Sequence, residues 1–471
     1  MKILFACSEC SPFAASGGLA DVAGSLPAAL QKEGAECRVI LPLYGSIGLQ
    51  WRSSMTFLTS FGVPLSWRVA HCGVFTMQYG GVQYYFLDNE QYFKREGGIY
   101  GYFDEAERFA FFSKAVLETL THIDYEPDVI HCNDWQTALI PVYLNVYYRG
   151  VPKLSETHTV FTIHNIQYQG QFGLDVARDV CGLPDWAVGK VEFHGDLNMM
   201  KGALEECERI STVSPTYAQE ILDPYFGHGL DEILRQKQWK LCGILNGIDT
   251  VGYNPAKDRA LAANFSLRKP EGKAVCKAAL QQQMHLPEQP DTPVLAMVSR
   301  LVTHKGFDLV RYAMEEMLRM GMQVVILGSG EQQYEDFFAE MQWRHPQQVA
   351  FTCGFKPELS RCIYAGADLF LMPSQSEPCG LSQMIALRYG AVPIVRSTGG
   401  LADSIIDWDT PGGGCGFTFQ SYNADDMLGA VRRAMGLYYS DYRSEMVPRA
   451  LKCDFSWRRS AKQYMAMYLG I

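Results

Sequence analysis

The chain has 471 residues, of which 48% are hydrophobic and 20% charged, and its formal net charge is −10. This apolar content excludes a disordered chain, and the acidic excess disfavours a protein that binds nucleic acid through its phosphates. The first apolar run is too short for a signal peptide, and none reaches the ~18 residues of a membrane span. We therefore expect a cytoplasmic protein without membrane contact, whose 14 cysteines are reduced, buried thiols.

The first forty residues predict a β-α-β unit. Lys2–Ala6 is a short apolar run typical of a buried strand, and Cys37–Leu41 is the next one. Between them, apolar residues recur at helical spacing from Leu19 to Leu30, and Gly34 stands where a helix ends. Further strands are predicted at 128–131, 159–163 and 208–214. Short buried strands that alternate with helices indicate a parallel sheet.

The strand pattern fades between residues 250 and 291, where prolines and charged residues rise and some helix is expected. It restarts with five apolar runs: Val294–Val298, Gln323–Leu327, Val349–Phe351, Asp368–Met372 and Val392–Val395. Two α/β domains in tandem are the economical interpretation. Because ligands of such domains bind outside the carboxyl ends of the strands, we expect a site in a cleft between the domains.

Two glycine loops are near copies of each other, Ser16–Asp21 and Thr398–Asp403. Each follows a strand and opens a helix, where free N–H groups and the positive helix end favour an anion such as phosphate. The alternative is a tight turn without a ligand. Arg300 and Lys305 follow another strand and offer the charge that a diphosphate needs. Their alternative is a solvated surface position.

Several other motifs are weaker. Cys7 and Cys10 have the CxxC spacing of a redox motif, but ordinary residues at a strand end are the better interpretation. Asp407-Trp408-Asp409 has the form of a magnesium–nucleotide site, and we interpret it as a surface turn. Glu377 lies at a strand-to-helix junction. His164 follows its own strand, and either donates to a ligand hydroxyl or is a buried histidine with internal partners.

Taken in order, the motifs resemble those of the bacterial glycogen synthases and the related plant starch synthases, essentially from end to end. The shared segments are Ser16–Asp21, Tyr100–Tyr102, Glu107–Phe109, His131–Trp135, Phe161–Asn165, Thr212–Tyr217, Leu245–Asp249, Ser299–Gly306, Glu377–Leu381, Thr398–Asp403 and Asp454–Trp457. The resemblance implies an α/β protein of the GT-B fold, with two Rossmann-like domains facing across a deep cleft. We expect an acceptor-side domain at 1–245, a donor-side domain at 246–455, and a helix at 456–471 that returns to the first domain.

The resemblance implies a glycosyltransferase that moves glucose from ADP-glucose to the non-reducing 4-hydroxyl of an α-1,4-glucan, with retention and release of ADP. The acceptor would be glycogen or a malto-oligosaccharide, and neither a metal nor another cofactor is expected. By motif, the implied catalytic residues are Glu377, His164, Arg300 and Lys305. The implied donor-binding residues are Gly17, Gly18, Asp21, Asp134, Asn246, Cys379, Gly380, Leu381, Thr398, Gly399 and Gly400. Tyr92, Phe93 and Tyr168 are candidates on the acceptor side.

Physical chemistry agrees with these roles. Breaking a glycosyl–phosphate bond places negative charge on the diphosphate, which fixed cations and helix N-termini stabilise without a metal. Retention through a covalent intermediate would need a second carboxylate near the anomeric carbon. None is evident in the sequence, so attack from the leaving-group face, with a phosphate oxygen as base, fits better.

Two positions depart from the family pattern. The first loop commonly reads Lys-x-Gly-Gly, but here Ala15 stands in place of the lysine. One such charge-assisted contact is worth ~1 kcal/mol, or about fivefold in donor affinity. Gln375 replaces an arginine of some relatives.

Two other functions stay open. Another retaining GT-B glucosyltransferase of the sucrose or trehalose type would usually carry a second glutamate eight residues after Glu377, where this chain has Ile385. A catalytically weak glucan-binding homologue is the other alternative, and Ala15 is its support.

Overall fold

The computed structural model describes residues 1–471. It divides into two compact units, unit 1 with residues 1–247 and 457–471, and unit 2 with residues 248–456. The boundaries expected from the sequence, after residues 245 and 455, lie two residues and one residue earlier. Each unit is an α/β body around its own sheet, and each is described separately below.

Unit 1 is built on a nine-stranded sheet with the order β12-β11-β7-β6-β1-β2-β5-β4-β3. Its strands are β1 Lys2–Ala6, β2 Glu36–Pro42, β3 Thr56–Leu65, β4 Arg68–Tyr79, β5 Val82–Asp88, β6 Val129–Asn133, β7 His158–Ile163, β11 Arg209–Thr212 and β12 Leu241–Gly243. A small antiparallel sheet contains β8 Gln171–Gly173, β9 Glu192–Phe193 and β10 Asp196–Asn198. The strands predicted from apolar runs are all present.

The sheet of unit 1 is not parallel throughout, and the expectation of a purely parallel sheet is wrong at one edge. β3 pairs antiparallel with β4, and β4 pairs antiparallel with β5. Most residues of β3 have solvent-accessible side chains. Such a half-exposed edge strand lacks the continuous apolar run that marks a strand buried on both faces, so it escaped notice.

The helices of unit 1 cover the sheet and connect its strands. They are α1 Gly18–Lys32, α2 Leu49–Arg52, α3 Glu90–Phe93, α4 Glu105–His122, α5 Leu139–Tyr143, α6 Val176–Asp179, α7 Asp185–Val188, α8 Met199–Glu206, α9 Pro215–Glu220 and α10 Asp231–Gln236. A π-helical turn at Leu144–Tyr148 and short 3₁₀ turns at Trp135–Thr137 and Gln238–Lys240 complete the set.

Unit 2 has a six-stranded, wholly parallel sheet with the order β15-β14-β13-β16-β17-β18. Its strands are β13 Val294–Val298, β14 Gln323–Gly328, β15 Val349–Cys353, β16 Leu369–Met372, β17 Val392–Arg396 and β18 Phe417–Phe419. The five predicted strands are confirmed, and only the three-residue β18 was missed. The helices are α11 Gly272–Gln283, α12 Phe307–Arg319, α13 Gln332–Arg344, α14 Pro357–Gly366, α15 Ser382–Arg388, α16 Gly399–Ser404, α17 Ala424–Tyr438 and α18 Arg443–Lys452.

The last helix, α19 Trp457–Leu469, belongs to unit 1. Its Tyr468 hydroxyl shares a 2.7 Å hydrogen bond with Nδ1 of His131 in β6, and the other ring nitrogen of His131 is bonded to Thr162 at 2.5 Å. Burial lowers the pKa of His131 to about 3, so the ring is neutral and can accept from one partner. The helix is therefore tied to the centre of the sheet by a buried polar contact. No helix of the structure has the length and apolar character to cross a membrane.

This contact gives a test of how firmly α19 is held. Tyr468→Phe removes the hydroxyl and leaves a buried ring nitrogen of His131 without its partner, so we expect a loss of about 1–3 kcal/mol in the free energy of unfolding. Chemical denaturation measures it. Tyr439→Phe is the matched control, because that side chain is 61% exposed and should change nothing. An equal effect of both variants would contradict the buried bond.

Candidate active site

The charged centre of unit 2 is an ion pair between Lys305 and Glu377. Lys305 Nζ lies 2.7 Å from Oε2 and 2.9 Å from Oε1 of Glu377. The two side chains are only 18% and 8% exposed. Ser374 Oγ donates a further hydrogen bond to Oε2 at 3.0 Å. A nearly buried carboxylate needs such partners, and together they fix its position at the end of β16.

Two glycines let the neighbouring loops approach this centre. Gly306 has a φ of +80°, and a Cβ there would lie 2.1 Å from the carbonyl oxygen of Pro373. Gly399 has a φ of +43°, and its Cβ would lie 2.0 Å from the carbonyl oxygen of Glu377. Only glycine fits either position. The Lys305 turn and the start of α16 can therefore both contact the segment that carries Glu377.

The second glycine loop uses its amides differently from the prediction. The N–H of Thr398 donates to Arg396 O at 2.9 Å, and the N–H of Gly400 is shared by the carbonyls of Glu377 and Pro378 at 3.1 Å each. These two amides bind protein carbonyls. The glycine pair therefore allows close backbone packing against the segment that carries Glu377.

Two cations share the end of β13. Arg300 has an exposed side chain, and Lys305 follows in a 3₁₀ turn, Thr303–Lys305. Burial, then the positive charge of Lys305 and of Arg300, lowers the pKa of His304, which lies between them in sequence. Two cations therefore lie at this end of the sheet, one of them, Lys305, paired with Glu377, although the chain as a whole is acidic.

The turn after Glu377 contributes shape and no charge. Cys379 is buried, Gly380 has a φ of +72° and Leu381 is half-buried. Gln383 Nε2 donates to the carbonyls of Cys379 and Gly380, at 3.1 and 3.0 Å. These predicted donor-binding residues therefore lie beside Glu377 in one ordered turn.

The first glycine loop, in unit 1, is bound by an acidic residue that was not predicted from the sequence. Glu9 Oε2 accepts hydrogen bonds from the N–H groups of Ser16 at 2.5 Å and Gly17 at 3.1 Å. Burial raises the pKa of Glu9, and the nearby charge of Asp21 adds to the effect. A Cβ at Gly18 would meet nothing within 4 Å, so the N-terminus of α1 stays open. The sequence signal that could have revealed Glu9 was the presence of an acidic residue in the loop directly after β1.

Asp134 stands at the end of β6 in an unusual conformation. Its φ is +55°, which is rare outside glycine and marks a constrained backbone. Its Oδ1 accepts from the N–H groups of His164 at 2.7 Å and Asn165 at 3.4 Å. Burial raises the pKa of Asp134 to about 7, against those two hydrogen bonds. The carboxyl group thus holds the loop that carries His164.

His164 has a defined protonation state. Asn133 Nδ2 donates to the carbonyls of Ala6 and His131, which leaves Asn133 Oδ1 facing His164 Nε2 at 2.9 Å. Because that oxygen can only accept, Nε2 carries the proton and Nδ1 is an acceptor. Burial lowers the pKa of His164 to about 3, so the ring is neutral. Where the sequence suggested a donor, the geometry shows Nδ1 able to accept from a hydroxyl.

Asn246 carries one of the buried, unpaired polar atoms of unit 1. Its side chain is 5% exposed, and its amide oxygen has no hydrogen-bond partner. Buried polar atoms are nearly always paired in folded proteins. This orphaned oxygen supports the predicted donor-binding role of Asn246.

Two of the three aromatic candidates are in the core. Tyr92 and Phe93 are each 2% exposed, and both pack against Phe111. They present no free face to a sugar, so the prediction is wrong for them. They were candidates because aromatic side chains can stack on sugars, and residue type alone does not show burial. Tyr168 is 53% exposed and remains a candidate.

The weaker motifs have structural explanations. Asp407 and Asp409 both bind Arg433 Nη1 at 2.8 Å, as parts of one surface turn. Hydrogen bonds lower the pKa of Asp407 to about 2 against the effect of burial. No group of three or more histidine, cysteine, aspartate or glutamate side chains is arranged to hold a metal ion. Cys7 and Cys10 are fully buried.

The contact at Gly399 can be tested by stability. Gly399→Ala places a methyl group 2.0 Å from a carbonyl oxygen at a left-handed φ, so we expect a loss of ~3 kcal/mol or more in the free energy of unfolding. Gly429→Ala is the control, because nothing lies within 4 Å of its Cβ and alanine favours the helix. Denaturant titration of both variants compares them, and a neutral Gly399→Ala would contradict the packing.

Asp134 predicts a pH dependence of stability. Its raised pKa means that the folded state keeps a proton that the unfolded chain releases above about pH 4, so stability falls as the pH rises toward 7. Asp134→Asn keeps the acceptor oxygen and removes the titration. We expect its stability, relative to wild type, to grow with pH by up to ~4 kcal/mol between pH 4 and pH 7. Asp124→Asn, at an exposed position, should run parallel to wild type; a parallel Asp134→Asn curve would disprove the assignment.

Comparison with known proteins agrees with this geometry. Residues 2–236 match the family model of the starch synthase catalytic domain, and residues 281–452 match that of the glycosyl transferases group 1. A glycogen synthase of Geobacillus thermodenitrificans is 48% identical over 99% of this chain and 97% of its own length. One from Clostridium novyi is 44% identical over 100% and 99%.

Solved structures give the same result. The catalytic domain of starch synthase IV from Arabidopsis thaliana, bound to ADP and acarbose, is 34% identical with a TM-score of 0.90, and the match covers 100% of this chain and 98% of that one. Sucrose-phosphate synthase from Thermosynechococcus elongatus covers the same shares at 15% identity and a TM-score of 0.61, which shows the fold alone. The chain has the GT-B fold, is a glycosyltransferase, and belongs to the glycogen synthase and starch synthase family.

Proposed function

We propose that this chain lengthens an α-1,4-glucan by retaining transfer of glucose from ADP-glucose, with unit 2 binding the donor. The observation that carries the proposal is the ordered group of Lys305, Glu377 and Ser374 at the carboxyl ends of the strands, beside Arg300. Family membership over the whole length supports the reaction, and the starch synthase structure bound to ADP supports the nucleotide.

The charges of unit 2 fit the bond that must break. As the glycosyl–phosphate bond lengthens, negative charge grows on the diphosphate and positive charge on the sugar. Arg300 and Lys305 stabilise the diphosphate, because they are positioned before the reaction and cost no reorganisation during it. Glu377 is held 2.7 Å from Lys305, and in this proposal its carboxylate stabilises the positive charge that develops on the sugar. No metal ion is needed in this scheme.

Unit 1 offers neutral polar groups of the kind that bind sugar hydroxyls. His164 Nδ1 can accept a hydrogen bond from a hydroxyl group, because Asn133 Oδ1 holds the other nitrogen, Nε2, as a donor. The orphaned oxygen of Asn246 accepts a second donor. Tyr168 is the exposed aromatic candidate for the glucan.

Retention follows from attack on the face that the diphosphate leaves. Glu377 is engaged by Lys305 and Ser374, so both of its oxygens already have partners. We therefore assign it to charge stabilisation, and a phosphate oxygen takes the proton of the incoming 4-hydroxyl. A trapped covalent glucosyl–enzyme adduct on Glu377 would overturn this mechanism.

The direct test is release of ADP from ADP-glucose in the presence of glycogen. Glu377→Gln keeps the shape and removes the charge, so we expect kcat to fall by about 10²-fold or more. Glu340→Gln is the control, since that exposed glutamate makes only a 3.8 Å contact with Arg344. Wild-type protein that binds glycogen but releases no ADP would favour a glucan-binding homologue. Competition with UDP-glucose establishes the preferred nucleotide.

Ala15 provides a gain-of-function test. It is exposed in the loop before α1, at the position where the family pattern implied by the resemblance has lysine. Ala15→Lys adds a cation to the donor side, and we expect the KM for ADP-glucose to fall about fivefold. Ala15→Met adds similar length without charge and should leave KM unchanged. An unchanged or higher KM for the lysine variant would count against the donor site. The cytoplasmic location and independence from a metal remain predictions.

A further inference from the structure

Gln383 is a buried side chain that holds the turn formed by residues 377–381. It lies in α15 and is 0% exposed. Its Nε2 donates to Cys379 O at 3.1 Å and to Gly380 O at 3.0 Å. The same nitrogen donates to Ser404 Oγ, in α16, at 3.0 Å. One amide group therefore binds two successive carbonyls of the turn and joins them to the neighbouring helix.

The link to α16 continues into the second glycine loop. The Ser404 hydroxyl, which accepts from Gln383, donates to Gly400 O at 2.6 Å. From the other side, a Cβ at Gly400 would lie 2.1 Å from Cys379 O. The carbonyl of Cys379 is thus enclosed between Gly400 and the Gln383 amide, so its direction is fixed.

The orientation of the Gln383 amide is fixed as well. Carbonyl oxygens can only accept, so the atom that contacts Cys379 O and Gly380 O must be the nitrogen. The amide oxygen is then left buried without a hydrogen-bond partner, and a Cβ at Gly380 would lie 2.6 Å from it. An unpaired buried oxygen lowers stability. Gln383 is therefore not a fully satisfied core residue, and its contacts with the turn indicate a further role.

The direction of the two bound carbonyls determines where the next N–H groups point. The peptide bonds after Cys379 and Gly380 are trans, and in a trans peptide the C=O and the N–H point in opposite directions. The N–H groups of Gly380 and Leu381 therefore point away from the Gln383 amide. No backbone carbonyl accepts from either of them, and both residues are only half-buried.

We propose that Gln383 is a positioning residue for the nucleotide sugar. By binding the carbonyls of Cys379 and Gly380, it presents the N–H groups of Gly380 and Leu381 to oxygen atoms of the donor. Gln383 acts through the backbone, because its own side chain is inaccessible to a ligand. This inference rests on the proposed function, in which the turn beside Glu377 contacts the donor.

The kinetic test is Gln383→Met, which keeps the length of the side chain and removes its N–H donors. We expect the KM for ADP-glucose to rise about tenfold, as for the loss of one amide contact, and the KM for glycogen to stay unchanged. The kcat should change little, because Lys305 and Ser374 hold Glu377 independently. A contact made equally in ground and transition states affects KM alone. Initial rates of ADP release measure all three constants.

Gln281→Met is the matched control. Gln281 is 1% exposed in α11 of the same unit, and its Nε2 donates to Gln289 O at 3.1 Å and to Gln323 Oε1 at 2.8 Å. Its loss should lower the free energy of unfolding and leave both KM values unchanged. An unchanged KM for ADP-glucose in Gln383→Met, or the same rise in the control, would overturn the inference. So would a fall in kcat alone, which would mean that Gln383 serves Glu377 instead.

A second measurement needs neither turnover nor a folded variant. A crystal structure of the wild-type protein with ADP and glucose should place a ligand oxygen within about 3.2 Å of the nitrogen of Gly380 or Leu381. ADP bound to unit 2 without such a contact would overturn the role of Gln383 and leave the proposed function intact. Absence of ADP from unit 2 would contradict both.

Discussion

The close backbone contact between Gly399–Gly400 and the Glu377–Cys379 turn is the constraint on which the charged centre of unit 2 depends. A carbonyl oxygen fits where any side chain at Gly399 would collide with it, and Gly400 then donates its N–H across the contact. Gly306 allows the same close approach from the other neighbouring loop. The Lys305–Glu377 ion pair can form because these backbones approach so closely, and close packing excludes the water that would weaken it.

In unit 1 the candidate site residues are positioned by hydrogen bonds between buried neutral polar groups, whereas unit 2 uses an ion pair. Asn133 is bonded to two strand carbonyls and determines which nitrogen of His164 carries the proton. Asp134 has a strained backbone conformation, and its carboxylate holds the His164 loop by accepting hydrogen bonds from two backbone amides. Desolvation keeps His164 uncharged, whereas the centre of unit 2 contains the ion pair of Lys305 and Glu377.

The sequence predicted the central strands because they are buried on both faces and read as continuous apolar runs, and the motifs at their ends located Glu377, Lys305 and Asp134. It did not identify the local partners of these motifs, Glu9 for the first glycine loop and Ser374 for Glu377, because the loop conformations that bring them into contact are not evident from residue types. The burial of Tyr92 and Phe93 could not be predicted from the sequence either. An aromatic residue in a short helix gives the same sequence pattern whether its side chain faces the core or the solvent. The prediction of a purely parallel sheet failed at β3 and β4 for a related reason. Exposed apolar side chains in β3 break the apolar–polar alternation by which a strand with one buried face is recognised.

The return of α19 to unit 1 has a consequence for synthesis on the ribosome. Unit 2 begins at Ile248 and ends at Ser456, and these two residues are bridged as neighbouring strands are, with Ile248 N–H bonded to Phe455 O at 2.8 Å. Unit 2 is thus an insertion whose ends meet, and its whole sequence emerges before the last helix of unit 1 is made. Since domains fold as units during translation, the inserted unit can reach its native state first. The host sheet is completed later, because His131 lacks its tyrosine partner until α19 has been synthesised.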